Sequence, residues 1–334
     1  MRAMSTVALP SLADILNTAR VVSLPLAARF RGILVREAVV FEGPEGWTEF
    51  SPFVEYDDAE AATWLAAAVD YGWSPSPVPV REGVGVNATM PAVAAGEVPG
   101  ILERFDGCRT VKVKVAEAGQ TLADDVARVR AVRESMGPEG RVRIDANAAW
   151  NVDEAERAVH ALAAFDLEYV EQPCAEIDEL AQLRERIAYL DIPIAADESV
   201  RKAADPLLVA RSGAADLLVI KAQPLGGVHA AREIVRQAGL PVVVSSALDT
   251  SIGLSMGAAL AASLPELPYD CGLGTASLFT TDVVASPLVA RGGVLSLERP
   301  HPTGADLDRV TADDERRDWW LARLGRCYDL LTRG

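Results

Sequence analysis

The chain has 334 residues, of which 50% are hydrophobic, 24% charged and 6% aromatic. That is the composition of a globular protein with a sizeable core, and it excludes disordered and fibrous classes. A formal net charge of −16 argues against nucleic acid or an anionic membrane surface as the main partner.

Two domains, or one barrel with an appendage, suit this length. Cys108, Cys174, Cys271 and Cys327 lie far apart without CxxC or CxxH spacing, so they read as reduced core thiols. Near the start, Arg2 precedes a stretch that Asp14 and Asn17 interrupt, which does not make a secretory leader. The longest uncharged stretch, Thr250 to Pro265, falls short of the ~20 apolar residues of a membrane span. A cytoplasmic location is expected.

In chain order, residues 1–80 read as a small α+β cap. Val35 to Val40, Gly43-Pro-Glu-Gly-Trp and Phe50-Ser-Pro-Phe suggest two or three antiparallel strands. An Ala-rich helix follows from Asp57 to Tyr71, with Trp64, Leu65 and Val69 available for packing.

Residues 81–282 then repeat one pattern: a β-branched run, a polar end, an amphipathic helix. The runs begin at Val84, Val111, Val142, Leu167, Ile192, Leu217, Val242 and Tyr269. Thr121 with Asp124 and Asn151 with Glu154 look like N-terminal capping pairs, and Gly239 like a helix stop. Alternating strands and helices imply a parallel sheet buried by its helices. An open doubly wound sheet has the same alternation. Eight runs with polar C-terminal ends favour an α/β fold closed into a (β/α) barrel, because such barrels carry their chemistry at those ends. Residues 283–334 add a strand-like 293–297 and a final helix from about Ala312, and are expected to pack back on cap and barrel.

The strand ends carry Lys112 and Lys114, Asp145 and Asn147, Glu171, Asp197 and Lys221. Steps of 31, 26, 26 and 24 residues separate Lys114, Asp145, Glu171, Asp197 and Lys221, each about one β/α unit. Lys112 and Lys114 share a face, as do Asp145 and Asn147, and the same alternation is expected of Ala195, Asp197 and Ser199. Barrel closure would therefore bring three carboxylates into one mouth with a lysine on either side. Three clustered carboxylates need a cation, and oxygen-only ligands point to Mg²⁺. Near the cation a lysine's ammonium form is disfavoured, which lowers its pKa toward the range useful for a general base, and base plus metal suits proton removal α to a carboxylate. Taken singly, these residues also read as a half-solvated strand, helix N-caps or surface charges. Their joint order and spacing is the specific signal.

Lys-Val-Lys, Asp145-Ala-Asn, Glu171-Gln-Pro, Asp197-Glu-Ser and Lys221 resemble the muconate-lactonizing subgroup of the enolase superfamily over nearly the whole chain. The pairing of a Lys base with Mg²⁺ is a known pattern of that superfamily. The resemblance implies a modified TIM barrel of the (β/α)7β type beneath the cap, with metal ligands Asp145, Glu171 and Asp197 and with Mn²⁺ as a possible substitute for Mg²⁺. It implies catalytic Lys114 and Lys221 on opposite faces of a small carboxylate substrate, supported by Lys112, Asn147 and Glu198. Arg29-Phe-Arg-Gly, Gly46-Trp-Thr-Glu-Phe-Ser-Pro-Phe, Val86-Asn-Ala-Thr and Ser245-Ser-Ala-Leu-Asp-Thr are similar to the o-succinylbenzoate synthase branch. That branch dehydrates a succinyl-hydroxycyclohexadiene carboxylate in menaquinone synthesis.

Substrate contacts are expected from Arg29, Arg31, Ser245, Ser246, Gly272 and Gly274. Backbone N–H groups of Gly272-Leu-Gly-Thr would hold a carboxylate, or form a plain turn. Gly226-Gly227 opens a helix that could take an anion. His160, His229 and His301 sit at no strand end, which argues against a histidine base, and Trp319 and Trp320 read as packing residues. Competing readings are an N-succinylamino acid racemase or dipeptide epimerase on the same scaffold, a barrel glycosidase, and a non-catalytic metal-binding scaffold. A monomer and a homo-oligomer are equally open.

Overall fold

The computed structural model describes residues 9–202 and 205–333; Arg2 lies outside them. Ser11 caps α1 (Leu12–Thr18), and three strands follow: β1 (Arg20–Phe30), β2 (Ile33–Gly43) and β3 (Gly46–Phe50). They pair antiparallel in that order. The sequence reading found the second and third and missed β1. Its alternation is interrupted by Pro25, where the register with β2 shifts, as a proline without an N–H requires. Asp57 accepts from the Glu60 N–H and starts α2 (Asp58–Trp73), which lays Trp64, Leu65 and Ala68 on Phe41 and Phe50 of the sheet.

The next run splits in two. Its first half is β4 (Gly83–Gly85), and the first barrel strand is β5 (Ala88–Met90), later than the run at Val84 suggests. After α3 (Val98–Leu102), the chain alternates through β6 (Thr110–Lys114), α4 (Leu122–Met136), β7 (Arg141–Asp145), α5 (Val152–Leu162), β8 (Leu167–Glu171) and α6 (Ile177–Arg186). It continues through β9 (Ile194–Ala196), α7 (Glu198–Arg201), α8 (Leu208–Ser212), β10 (Leu217–Ile220), α9 (Val228–Ala238), β11 (Val242–Val244) and α10 (Ser251–Ser263). Thr121–Asp124 and Asn151–Glu154 form the expected capping boxes, and Gly239 takes the left-handed conformation after α9.

Strands β5 to β11 form one parallel sheet in sequential order. The eighth run closes it through only two bridges: Cys271 with Val86 and Gly272 with Ser245. The Cys271 N–H donates to Gly85 O, and the Gly272 N–H to Val244 O. The result is a (β/α)7β barrel. The uncharged stretch forms α10, thirteen residues almost wholly buried. Among the described residues no helix is long and apolar enough to cross a membrane.

β12 (Val294–Ser296) pairs antiparallel with β4, so the tail ties back to the barrel entrance. After α11 (Gly304–Asp308), α12 (Asp314–Arg333) packs on the cap. Trp320 is fully buried there and donates to Glu37 (3.0 Å), with Trp319 edge-on to it, which makes both packing residues.

Candidate active site

Register places the polar strand ends side by side. Lys114 lies opposite Asp145, Asp145 opposite Glu171, and Glu171 opposite Ala195. Asp197 follows two residues later, immediately before α7, and Lys221 follows β10. Ser199 is correspondingly in α7 and not on a strand face, which corrects the expected alternation: β9 ends at Ala196. Lys112, Lys114 and Lys221 are 7–9% exposed, and Asp145, Glu171 and Asp197 at most 1%.

Each acid faces a lysine. Lys112 Nζ donates to Glu171 Oε1 (2.8 Å) and stands 3.2 Å from Asp145 Oδ2. Lys114 donates to Asp145 and to Asn147 Oδ1 (2.6 Å). Lys221 Nζ donates to Asp197 Oδ2 (2.5 Å). Asn147, at φ 46°, returns its N–H to Asp145 Oδ1 (3.0 Å) and its amide to Glu198 Oε1 (3.3 Å). Arg201 holds Glu198 (2.7 Å) and reaches across to the Tyr56 hydroxyl of the cap (3.1 Å).

Sequence reasoning assigned no role to Gln172. Its Oε1 accepts from the N–H groups of Asp197 (2.8 Å) and Ser199 (3.2 Å), and its amide donates to Ser199 Oγ (2.7 Å). It thereby ties the end of β8 to the turn that presents Asp197. The Glu-Gln-Pro run was the available signal.

Burial dominates the electrostatics and acts against every charge. For Glu171, burial and then Asp145 push the carboxyl up to about 7. For Asp145, burial is overcome by Lys114 and Lys112, which hold it well below the usual carboxylate range. Burial of Asp197 is likewise outweighed by Lys221 and Arg201, leaving it at about 2. Lys114 is pulled below the ordinary lysine value by burial. Lys112 suffers the same burial but is raised by Glu171 and Asp145.

Among the described residues no three acid, His or Cys groups stand in a ready cation-binding arrangement, because the ammonium groups take the inward oxygens. Glu171 Oε2 and Asp197 Oδ1 are nevertheless buried without a hydrogen bond. Arg201 Nε lies 3.2 Å from Asp197 Oδ1 but is not aligned to donate to it. Unpartnered carboxylate oxygens in such surroundings are costly, and an all-oxygen donor set fits a hard divalent cation.

The mouth holds a small cavity bounded by Lys112, Lys114, Asn147 and Lys221 on the barrel side. Phe30 and Arg31 cover it from the cap, and Ser246, Ala247, Leu248, Gly272 and Thr275 form the far wall. Of the expected substrate contacts, Arg31, Ser246 and Gly272 line this cavity. Arg29 lines only an outer recess shared with Phe30, Arg31 and Lys114. Ser245 and Gly274 are not on the wall; Gly274 is packed so tightly that a Cβ would come within 2.8 Å of Asn87 O. The Gly272 N–H is spent on Val244 O and is not free for a carboxylate. The expected anion site at Gly226-Gly227 is also filled from within. Asp70 of α2 accepts from the His229 N–H (3.2 Å) and faces its ring nitrogen (2.7 Å). His160 faces Tyr189, and His301 lies in the tail.

Comparison with known proteins bears on the family and the fold. Residues 100–309 match the family "Enolase C-terminal domain-like" and residues 21–72 "Enolase N-terminal domain-like". The o-succinylbenzoate synthase of Mycolicibacterium smegmatis is 53% identical, over 96% of this chain and 98% of that one. That of Mycobacterium tuberculosis strain H37Ra is 51% identical over 97% and 98%. Among solved structures, N-succinyl Arg/Lys racemase from Bacillus cereus superposes with TM-score 0.72 at 20% identity, covering 89% of this chain and 98% of that one. Muconate lactonizing enzyme from Pseudomonas fluorescens gives 0.71 at 21%, covering 90% and 97%. Both show the fold. The chain therefore belongs to the enolase superfamily and, within it, to the o-succinylbenzoate synthase family of lyases.

Proposed function

We propose that the chain catalyses the metal-dependent syn-dehydration of 2-succinyl-6-hydroxy-2,4-cyclohexadiene-1-carboxylate to 2-succinylbenzoate, a step of menaquinone biosynthesis. The observation that carries the reading is the pair Lys114 and Lys221, which stand at the C-terminal ends of β6 and β10 and border one cavity, with three buried carboxylates beside them. The names of the relatives supply the substrate.

Asp145, Glu171 and Asp197 would hold Mg²⁺, with Mn²⁺ able to replace it. Bound there, the ion supplies positive charge to the substrate carboxylate as negative charge builds on it. Lys114 is the base: its neutral amine removes the C1 proton, and the C1–H electrons move toward the carboxylate. The C6–O bond then breaks, and the same lysine, now an ammonium, gives its proton to the departing hydroxyl. Water leaves and the ring becomes aromatic. One group serving both transfers accounts for syn stereochemistry. Lys221 remains cationic on the other side and stabilises the developing charge. Lys112, Asn147 and Glu198 orient the acids, and Arg31, Ser246 and Gly272 border the substrate. The same reading divides the chain into a cap (1–80), a barrel (81–282) and a returning segment (283–334), in a cytoplasmic enzyme.

Because Lys114 and Lys221 border the same cavity, proton removal by one and return by the other is also chemically available. N-succinylamino acid racemisation is therefore the second reading. Turnover of the cyclohexadiene by purified protein with Mg²⁺, beside a chelated sample, separates the two. Metal-dependent succinylbenzoate formation supports the dehydratase. No product from folded, Mg²⁺-loaded protein would sink it.

A further inference from the structure

Arg36 lies on β2 in the cap and is only 3% exposed, yet it makes no hydrogen bond to a carboxylate. Its donors go to backbone carbonyls. Nε donates to Leu248 O (3.1 Å), Nη2 to Ser51 O and Ala247 O (3.4 Å), and Nη1 to Glu37 O (3.4 Å). A buried guanidinium is costly unless its donors are well used. Here they clamp cap backbone to the loop that follows β11.

That loop is the far wall of the cavity. Ala247 and Leu248 both line it, and Leu248 adopts φ 62°, a left-handed conformation that leucine disfavours. A second tie acts from below: Asp249 Oδ1 accepts from the Ala247 N–H (3.2 Å). Such a conformation persists only where its surroundings over-determine it. Arg36 also stacks on Phe53, its guanidinium carbon 4.3 Å from the ring centroid, and Arg31 stands at the same 4.3 Å from that ring. One buried side chain thus braces two parts of the cavity lining, the 247–248 wall and the Arg31 edge. Both border the cavity that Lys114 and Lys221 also line.

We propose that Arg36 is a positioning residue that fixes this wall and thereby sets which side chain a ring-carboxylate substrate carries into the cavity. The inference rests on the dehydratase reading and deepens it. It predicts that loss of Arg36 weakens recognition of the succinyl arm while leaving the lysine chemistry intact.

The test compares wild type, Arg36→Met and Arg36→Lys on two substrates, the succinyl-bearing cyclohexadiene and its analogue lacking the succinyl arm. Hydrogen exchange is followed in the 245–250 segment. For Arg36→Met, KM for the succinyl substrate should rise about tenfold with kcat changed less than about threefold, the signature of lost uniform binding. Preference over the truncated analogue should shrink, and amide exchange at 247–249 should quicken. Arg36→Lys, keeping the charge and one set of donors, should fall between. Equal losses in kcat for both substrates without a KM change would overturn the proposal, as would unaltered exchange at 247–249. Should Arg36→Met fail to fold, Arg36→Lys decides: wild-type KM and exchange in that variant would overturn it. If wild type turns over neither substrate, the dehydratase reading has failed, and the exchange comparison still judges the brace.

Discussion

Lys114 and Asp145 are direct register partners on adjacent parallel strands, and the lysine donates to the carboxylate across that register. A base held this way cannot drift, because its partner is fixed by the sheet. The proposed general base should accordingly be indispensable. Lys114→Ala is expected to lower kcat by about 10²–10⁴, and Lys221→Ala by about 10²–10³ through lost charge stabilisation, both with native circular dichroism. Turnover within tenfold of wild type in either variant would remove that lysine from the mechanism.

Metal removal should be felt in stability as well as rate. Glu171 Oε2 and Asp197 Oδ1 accept no hydrogen bond, so an ion binding there would stabilise the folded state selectively. At a Mg²⁺ concentration 100 times its Kd, unfolding should cost about 2.7 kcal/mol more than in chelator. Asp145→Asn should blunt that gain. Denaturant melts with and without Mg²⁺ provide the check, and superimposable curves would show that these acids bind no ion.

Gly227 joins cap to barrel through a contact that leaves no space. At φ 117°, a Cβ there would meet Asp70 Oδ2 at 2.5 Å. Gly227→Ala is expected to destabilise by roughly 1–3 kcal/mol from strain and displacement of Asp70. Urea unfolding measures it; a loss below about 0.5 kcal/mol would mean that the α2–α9 contact yields easily.

The same contact makes stability depend on pH. The hydrogen bond from His229 to Asp70, against burial and Arg232, raises the imidazole above its ordinary 6.5. A raised folded value means the contribution is complete below the unfolded value and fades as pH climbs through the folded one. The ring is 38% exposed on the surface, so screening limits the effect to about 0.5 kcal/mol. His229→Gln should therefore cost more stability at acid pH than at alkaline pH. An equal cost at both ends would show that the proton is not involved.

The catalytic end of the fold was largely legible because barrels place chemistry periodically. Lys114, Asp145, Glu171, Asp197 and Lys221 are each one β/α unit apart, and capping pairs such as Thr121–Asp124 mark the helices locally. What escaped depends on distant partners. Arg20–Phe30 is a strand because β2 pairs with it despite Pro25, and Val84 is drawn away from the barrel start by Val294–Ser296. The carbonyls that Arg36 holds lie 211 and 212 residues downstream, a separation no local pattern encodes. Gly226-Gly227 resembled an anion site for a sound reason, and the anion is the protein's own Asp70.

Seven barrel strands meet in the order they are made, each against its predecessor, and Gly272 likewise meets Ser245, but the seam joins Val86 to Cys271 through a single bridge. Contacts across a long chain separation form slowly, because loop entropy is lost before they repay it. The curled sheet can therefore assemble progressively while the ring stays open, and closure of Cys271 on Val86 is expected to come last. Since Gly272, the residue next to Cys271, borders the cavity, a complete pocket would exist only in molecules that have finished folding.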